Sequence, residues 1–570
     1  MPRLSVCWGF VDGVLGSTAY VHHFTSGFTR IRLQKEAEVE KWRGNGYSAG
    51  LGQALLDLSV IALQQGETLV ADACIKEALA LPGLSDETEF QLLSYHVHCR
   101  FMHFRYSPSR QTFRTEELSA FMDFEAELPK WQSEISTARS KVSSSSMQIL
   151  SCVLSLQRYA WSARSVQTAL DDPGSRHGLF SARAEQDIEY FTNVKLDKQI
   201  LEAAHVDLAD TYHAEGQPEK ANKTIAKLIT GSQDDSCLGS CYMIMGDWKA
   251  ASYSVPEVWN MFPLQGVNSN AQPREREWQE FKTRGLDTIG ARAEYNTAKQ
   301  YFESIGHERG LGSVELRLAY LNTIEASSHP DKASRYRKAL EHASLAKEKF
   351  CSAADWAGYY LACAHVDLCK IGTGQMALDK DKALEIGRWG RTKGSWSFVA
   401  GIGLFITRYA RRWQIAEGDY ERSLAALGLA EALFSELSAP LSHAYSLTDI
   451  ATVFEALGDR TRFFIFAARA LERCIQPLYA PFHGLERWLY ASAEYIIIRM
   501  ITRAIRLANP DDIERAAKNT RRLLEARSNT LSAALGQNYN GMLRFALDQP
   551  KHLLISATLT LSGLSSWSLV

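Results

Sequence analysis

Five residues, Ala204-His205-Val206-Asp207-Leu208, return unchanged as Ala364-His365-Val366-Asp367-Leu368, 160 positions later. Such an offset constrains the fold more than any local propensity. It implies one supersecondary unit used repeatedly, with neighbouring units supplying each other's core. Around the first copy, Leu208, Ala209 and Tyr212 form one apolar helix stripe, Gly216 reads as a turn, and Ala221 and Ile225 open a second helix. The offset equals four units of about forty residues each.

The unit recurs elsewhere. Gln65-Gly66-Glu67 separates Leu55, Leu58 and Ala62 from Ala71, Ile75 and Glu77-Ala78-Leu79. Leu238-Gly239, Tyr242 and Gly246-Asp247-Trp248 predict another unit that turns at Gly246. Tyr295, Ala298, Phe302 and Ile305 before Gly306 read as a second helix, and Gly312 to Ile324 opens the next pair. Gly418-Asp419-Tyr420 and Gly458-Asp459 turn two more units, forty residues apart. In these residues the chain resembles the tetratricopeptide repeat family, whose helical hairpins carry small residues where the helices cross and a Gly-Asp-aromatic turn. The resemblance implies an all-α fold, an α-solenoid wound as a right-handed superhelix, with helices longer than in the common form of about 34 residues. Less explicit units are expected at 85–130, 147–170 and 332–370.

Interruptions divide the array. An N-terminal segment, 1–45, precedes a first sub-array at 46–251. Pro256, Pro263 and Pro273 then mark an irregular insertion at 252–285. A second sub-array follows at 286–535. In the C-terminal tail, 536–570, Ile555, Ala557, Leu559 and Leu561 alternate with polar residues at strand period.

Composition excludes several classes of function. With 63 basic against 65 acidic residues, no global charge draws the chain to nucleic acid or to an anionic membrane. The longest apolar run after the N-terminal segment, Phe398 to Thr407, is far short of the roughly twenty residues of a membrane span. Ten cysteines scattered through apolar helical stretches read as free thiols in a reducing compartment, so the expected location is intracellular, in the cytoplasm, an argument that leaves the nucleus open. No phosphate-binding glycine loop, His-Glu-x-x-His or Gly-x-Ser-x-Gly occurs. The chain therefore reads as a non-enzyme without a cofactor. His96, Cys99 and His103 would share a helix face, but a fourth ligand is not evident, and Cys237 and Cys241 lie among packing residues.

The resemblance also implies where a partner would lie. In the family, first-helix residues look into a concave groove, and the matching positions here are Asp57, Asp207, Asp367 and Asp449, with Tyr409 in another unit. A carboxylate column suits a basic or N-terminally charged segment of a protein partner. Gln53 and Asp57 lack the lysine and asparagine that clamp a chaperone's terminal carboxylate. A basic run, Arg499, Arg503, Arg506, Arg515, Lys518, Arg521, Arg522 and Arg527, gives the other end the opposite preference, which suits a bipartite partner or end-to-end self-association. The expected function is an interaction scaffold or adaptor. The alternative is the sensor portion of a signalling protein whose NTPase or caspase-like effector is lost or lies in another chain.

Overall fold

The structure is a computed structural model that describes residues 27–106, 181–193, 198–250, 287–326, 329–376, 380–437 and 440–478, with Gly66 excepted, and parts of 130–142. The expected insertion at 252–285, the unit at 147–170, the basic run from Arg499 and the alternating tail at 536–570 lie outside these residues.

The described residues are all-α, in seventeen α-helices and one π-helical turn, with no strand among them. In order these are α1 (Thr29–Asn45), α2 (Ser48–Gln64), α3 (Thr68–Leu79), α4 (Asp86–Tyr106), α5 (Ser181–Asn193), α6 (Lys198–Ala214), α7 (Pro218–Gly231), α8 (Asp235–Lys249) and α9 (Thr288–Ser304). There follow α10 (Glu308–Ala326), α11 (Lys332–Ser352), α12 (Trp356–Gly372), α13 (Asp381–Lys393), α14 (Trp396–Arg412), the π-turn Trp413–Glu417, α15 (Tyr420–Leu437), α16 (Pro440–Ala456) and α17 (Arg460–Leu478). None of the described helices is long and apolar enough to cross a membrane.

The helices pack as successive hairpins. From α1 to α4, from α5 to α8 and from α8 to α12 each helix packs on the next in sequence; in addition α2 meets α4, α6 meets α8, α8 meets α10, and α10 meets α12. These skipped contacts set the first helices of adjoining hairpins side by side, as a helical-repeat fold requires. Burial follows from that placement. α10 and α12 are covered around most of their circumference. α11 buries one stripe, Tyr336, Ala339, Ala343, Ala346 and Phe350, whose spacing of three and four residues is that of a helix with one wet face.

The described residues form two compact units. The first contains α1 to α12 and Trp389–Ile402; the second contains Met376–Arg388 and the helical residues from Gly403 onward.

Glycines let the hairpins close. Phe302, on α9, stands against Gly239 of α8 and Gly310 of α10, where an added Cβ would lie 2.7 and 2.6 Å from the ring. Phe350 is enclosed in the same way by Gly312 of α10 and Gly358 of α12, at 3.0 and 2.4 Å. Within the second unit, Phe434 fills the notch at Gly403. All three rings are fully or almost fully buried, and each contributes on the order of 2–3 kcal/mol through removal from water.

Gly246 belongs to the same class, which corrects the predicted turn there. α8 runs through it to Lys249, and Gly246 instead admits the ring of Tyr295, 2.4 Å from where its Cβ would be. The second helix of that hairpin is α9, which packs on α8 from beyond residue 286. The real turns carry both expected residues. Gly418 and Gly458 adopt φ of 65° and 75°, left-handed values that cost glycine little. The aspartates after them cap the following helix, with Asp419 and Asp459 each accepting from a backbone N–H at 3.0 Å.

Candidate functional site

The repeated pentapeptide shows how far equivalent positions behave alike. Ala204 and Ala364, Val206 and Val366, Leu208 and Leu368 are all buried, and so are Asp207 and Asp367. The histidines differ. His205 is half-buried, its Nδ1 2.7 Å from the carbonyl of Leu201. His365 is fully enclosed, 6.4 Å edge-on from Tyr320, and burial pushes its pKa down to about 3, so the ring is neutral.

Three of the candidate residues share a helical register. Asp207 precedes Gly216 by nine residues, Tyr409 precedes Gly418 by nine, and Asp449 precedes Gly458 by nine, each glycine being left-handed. Each therefore stands at the same distance from the turn that ends its own helix, Asp207 in the first unit and Tyr409 and Asp449 in the second. Asp57 holds the same spacing from Gly66, and Asp367 lies seven residues before the left-handed Gly374.

All five candidates are buried, with exposures between 1 and 8%. Three of the carboxylates already face a cation of this chain. Asp57 meets Lys35 of α1 at 2.8 Å and accepts from Gln53 at 3.0 Å. Asp367 lies 3.2 Å from Lys370 on its own helix. Asp449 takes a two-pronged interaction from Arg411, Nε at 2.7 Å and Nη2 at 3.0 Å, a geometry that fixes orientation as well as charge. Tyr409 packs edge-on between Phe405 and Trp413, at 5.0 and 6.0 Å between ring centroids. A partner's basic group would thus meet an acidic face that is covered and partly neutralised.

Further charged clusters lie between helices, and sequence reasoning missed them. On α10, Glu315 is buried and receives Lys299 of α9 at 2.8 Å and His342 of α11 at 2.6 Å. Although burial works against the charge, the hydrogen bonds from His342 and Lys299 hold its carboxyl below the usual range. Asp247 of α8 is joined to Arg317 of α10 by two bonds of 2.7 and 2.9 Å, and Tyr295 of α9 donates to it at 2.8 Å. Desolvation opposes ionisation there too, but Arg317 outweighs it and keeps the carboxyl low. Glu325 of α10 bridges Arg292 of α9 and Arg335 of α11, at 2.9 and 2.8 Å. In the second unit, Glu431 lies 3.5 Å from His443 and 2.9 Å from Arg469; beside these two its carboxyl falls to about 2.

Each cluster ties one hairpin to the next, and breaking one leaves a charge stranded at a helix contact. Nothing in the spacing of the sequence joins Asp247 to Arg317, seventy residues away; only the side-by-side packing of α8 and α10 does.

Of the metal-like spacings, His96 pairs with Asp72, Nδ1 to Oδ1 at 3.1 Å, and Cys99 is buried in the core of α2 to α4. Cys237 and Cys241 pack against Val206, Ala209 and Ile225. Among the described residues no group of three or more His, Cys, Asp or Glu is placed to hold a metal ion. The side chain of His103 lies outside the described set. No protein-family model matches the chain, and no curated protein matches it significantly.

Proposed function

We propose that this chain is a protein-binding scaffold that receives a basic segment of a partner on carboxylates carried by its first helices. The observation that carries the reading is the shared spacing of Asp207, Tyr409 and Asp449, each nine residues before a left-handed glycine, with Asp57 nine before Gly66 and Asp367 two positions out of step. Within each compact unit such residues sit on first helices held by their hairpins, and the carboxylates of a unit offer a segment contacts at little ordering cost to the scaffold. The lysine and arginine partners of Asp57, Asp367 and Asp449 occupy those carboxylates meanwhile and would be displaced or shared on binding. Electrostatic complementarity then sets partner choice more than affinity.

The test compares the unaltered chain with a variant carrying Asp→Asn at 57, 207, 367 and 449. Asparagine keeps the shape and removes the charge, whereas lysine would be driven against Lys35 and Arg411. Affinity capture from one extract, on proteins matched in helical signal, should lose the binders that use basic segments. An unchanged bound set refutes the proposal.

A further inference from the structure

In a row of hairpins each unit contacts its neighbours, yet one contact in the first unit spans more than three hundred residues. The backbone N–H of Phe28 donates to the carbonyl of Ala353, in the α11–α12 turn, at 2.7 Å. The Phe28 ring, wholly buried, lies 4.7 Å from the Arg309 guanidinium, close enough for a cation–π contact. Gly27 fits because it has no side chain: a Cβ there would fall 2.7 Å from the Ala353 Cα and 2.9 Å from its carbonyl oxygen. Beside this contact Gln65 donates to the carbonyl of Ala354 at 2.9 Å, and Glu67 joins Arg32 at 2.9 Å and Lys393 at 3.1 Å.

The receiving half is complete in itself. Asp355 caps α12 by accepting from the N–H of Gly358 at 2.9 Å, and with its other oxygen it holds Arg309 at 2.8 Å. The guanidinium is therefore positioned by α10 and the turn, not by the ring it faces. The turn presents two carbonyls outward, on either side of Ala354, whose φ of 52° is a left-handed value rarely adopted by a residue with a Cβ.

We propose that the Ala353–Asp355 turn and Arg309 form a peptide-recognition site for a glycine followed by an aromatic residue, occupied here by the chain's own Gly27-Phe28. The ligand supplies one main-chain N–H, one aromatic face and the absence of a Cβ. A partner carrying such a pair competes with the N-terminal segment for the site. Lys35, on the helix that follows Phe28, meets Asp57 at 2.8 Å, so the test peptide ends before it and either proposal can fail alone.

The test uses the full chain and a fluorescent peptide of residues 24–34. Gly27→Ala blocks docking in cis while keeping the ring, and Phe28→Ala removes the ring. Both variants should bind the peptide at least tenfold more tightly than the unaltered chain does. Peptides with Gly→Ala or Phe→Ala should not bind, and Arg309→Met in the Gly27→Ala chain should weaken binding about tenfold. The proposal is overturned if neither variant, with its helical signal intact, binds the peptide, or if the Gly→Ala peptide binds as well. Loss of the helical signal in both variants would make Gly27-Phe28 an integral part of the core, and would overturn it too.

Discussion

Replacing Gly358 with alanine sets two effects of opposite sign against each other. Helix propensity alone favours alanine by up to about 1 kcal/mol. The structure says otherwise. The new Cβ would stand 2.4, 2.5 and 2.6 Å from Cδ1, Cε1 and Cγ of Phe350, well inside van der Waals contact. The ring would have to retreat by about 1 Å to reach ordinary contact, but Gly312 bounds the other side of the notch, so closely that a Cβ added there would lie 3.0 Å from Phe350 Cδ1. Overpacking of this kind costs typically 1–3 kcal/mol, so the net expectation is a destabilisation of about 1–2 kcal/mol. Gly44→Ala in α1 is the control, since nothing lies within 4 Å of its Cβ position, and it should stabilise by about 0.5–1 kcal/mol. Urea unfolding followed by far-ultraviolet circular dichroism, with hydrogen exchange of α11 and α12 amides for local opening, measures both. Combining Gly358→Ala with Phe350→Leu should recover about 1 kcal/mol relative to the sum of the single changes. A Gly358→Ala chain as stable as the unaltered one, with α12 amides equally protected, would refute the notch as the reason for glycine.

Three further outcomes follow from the buried charges. His365 has its pKa pushed from 6.5 to about 3 by burial, so its contribution is fully present above pH 6.5 and is lost as pH falls toward 3; His365→Leu should remove about 2 kcal/mol of the stability lost between pH 6.5 and 5, measured as the shift in urea midpoint. For Glu431, lowered from 4.5 to about 2, stability is present above pH 4.5 and lost as pH falls through 2; Glu431→Gln should flatten that acid limb by at most about 2 kcal/mol after allowance for partial exposure, seen in acid titration of the helical signal. Asp449→Ala strands Arg411 at the contact of α14 and α16 and should cost about 2–3 kcal/mol, while adding Arg411→Met should restore most of it in the same unfolding assay.

How much of this was legible in the sequence depends on the range of the cause. Gly418-Asp419 and Gly458-Asp459 could be read as turns because a left-handed glycine and an aspartate cap act within four residues. The pentapeptide gave the right burial for its alanine, valine and leucine in both copies, since helix periodicity fixes those faces. It could not distinguish His205 from His365, because what covers each comes from other helices. Gly246-Asp247-Trp248 was misread for a physical reason. A glycine before aspartate serves equally as a turn or as a notch, and only the approach of Tyr295 decides. The common spacing of Asp57, Asp207 and Asp449 was visible; the pairing of Asp57 with Lys35 and of Asp449 with Arg411 required the packing. Likewise, no spacing links Phe28 to Arg309.

Recognition of basic segments by the carboxylate row is tested most directly by selecting binders from a random peptide library displayed against the intact chain. The selected peptides should be enriched in lysine and arginine, and the enrichment should vanish when the same library is selected against the Asp→Asn variant at 57, 207, 367 and 449. Winners without basic enrichment, or an identical set from both chains, would contradict the proposed role of that row.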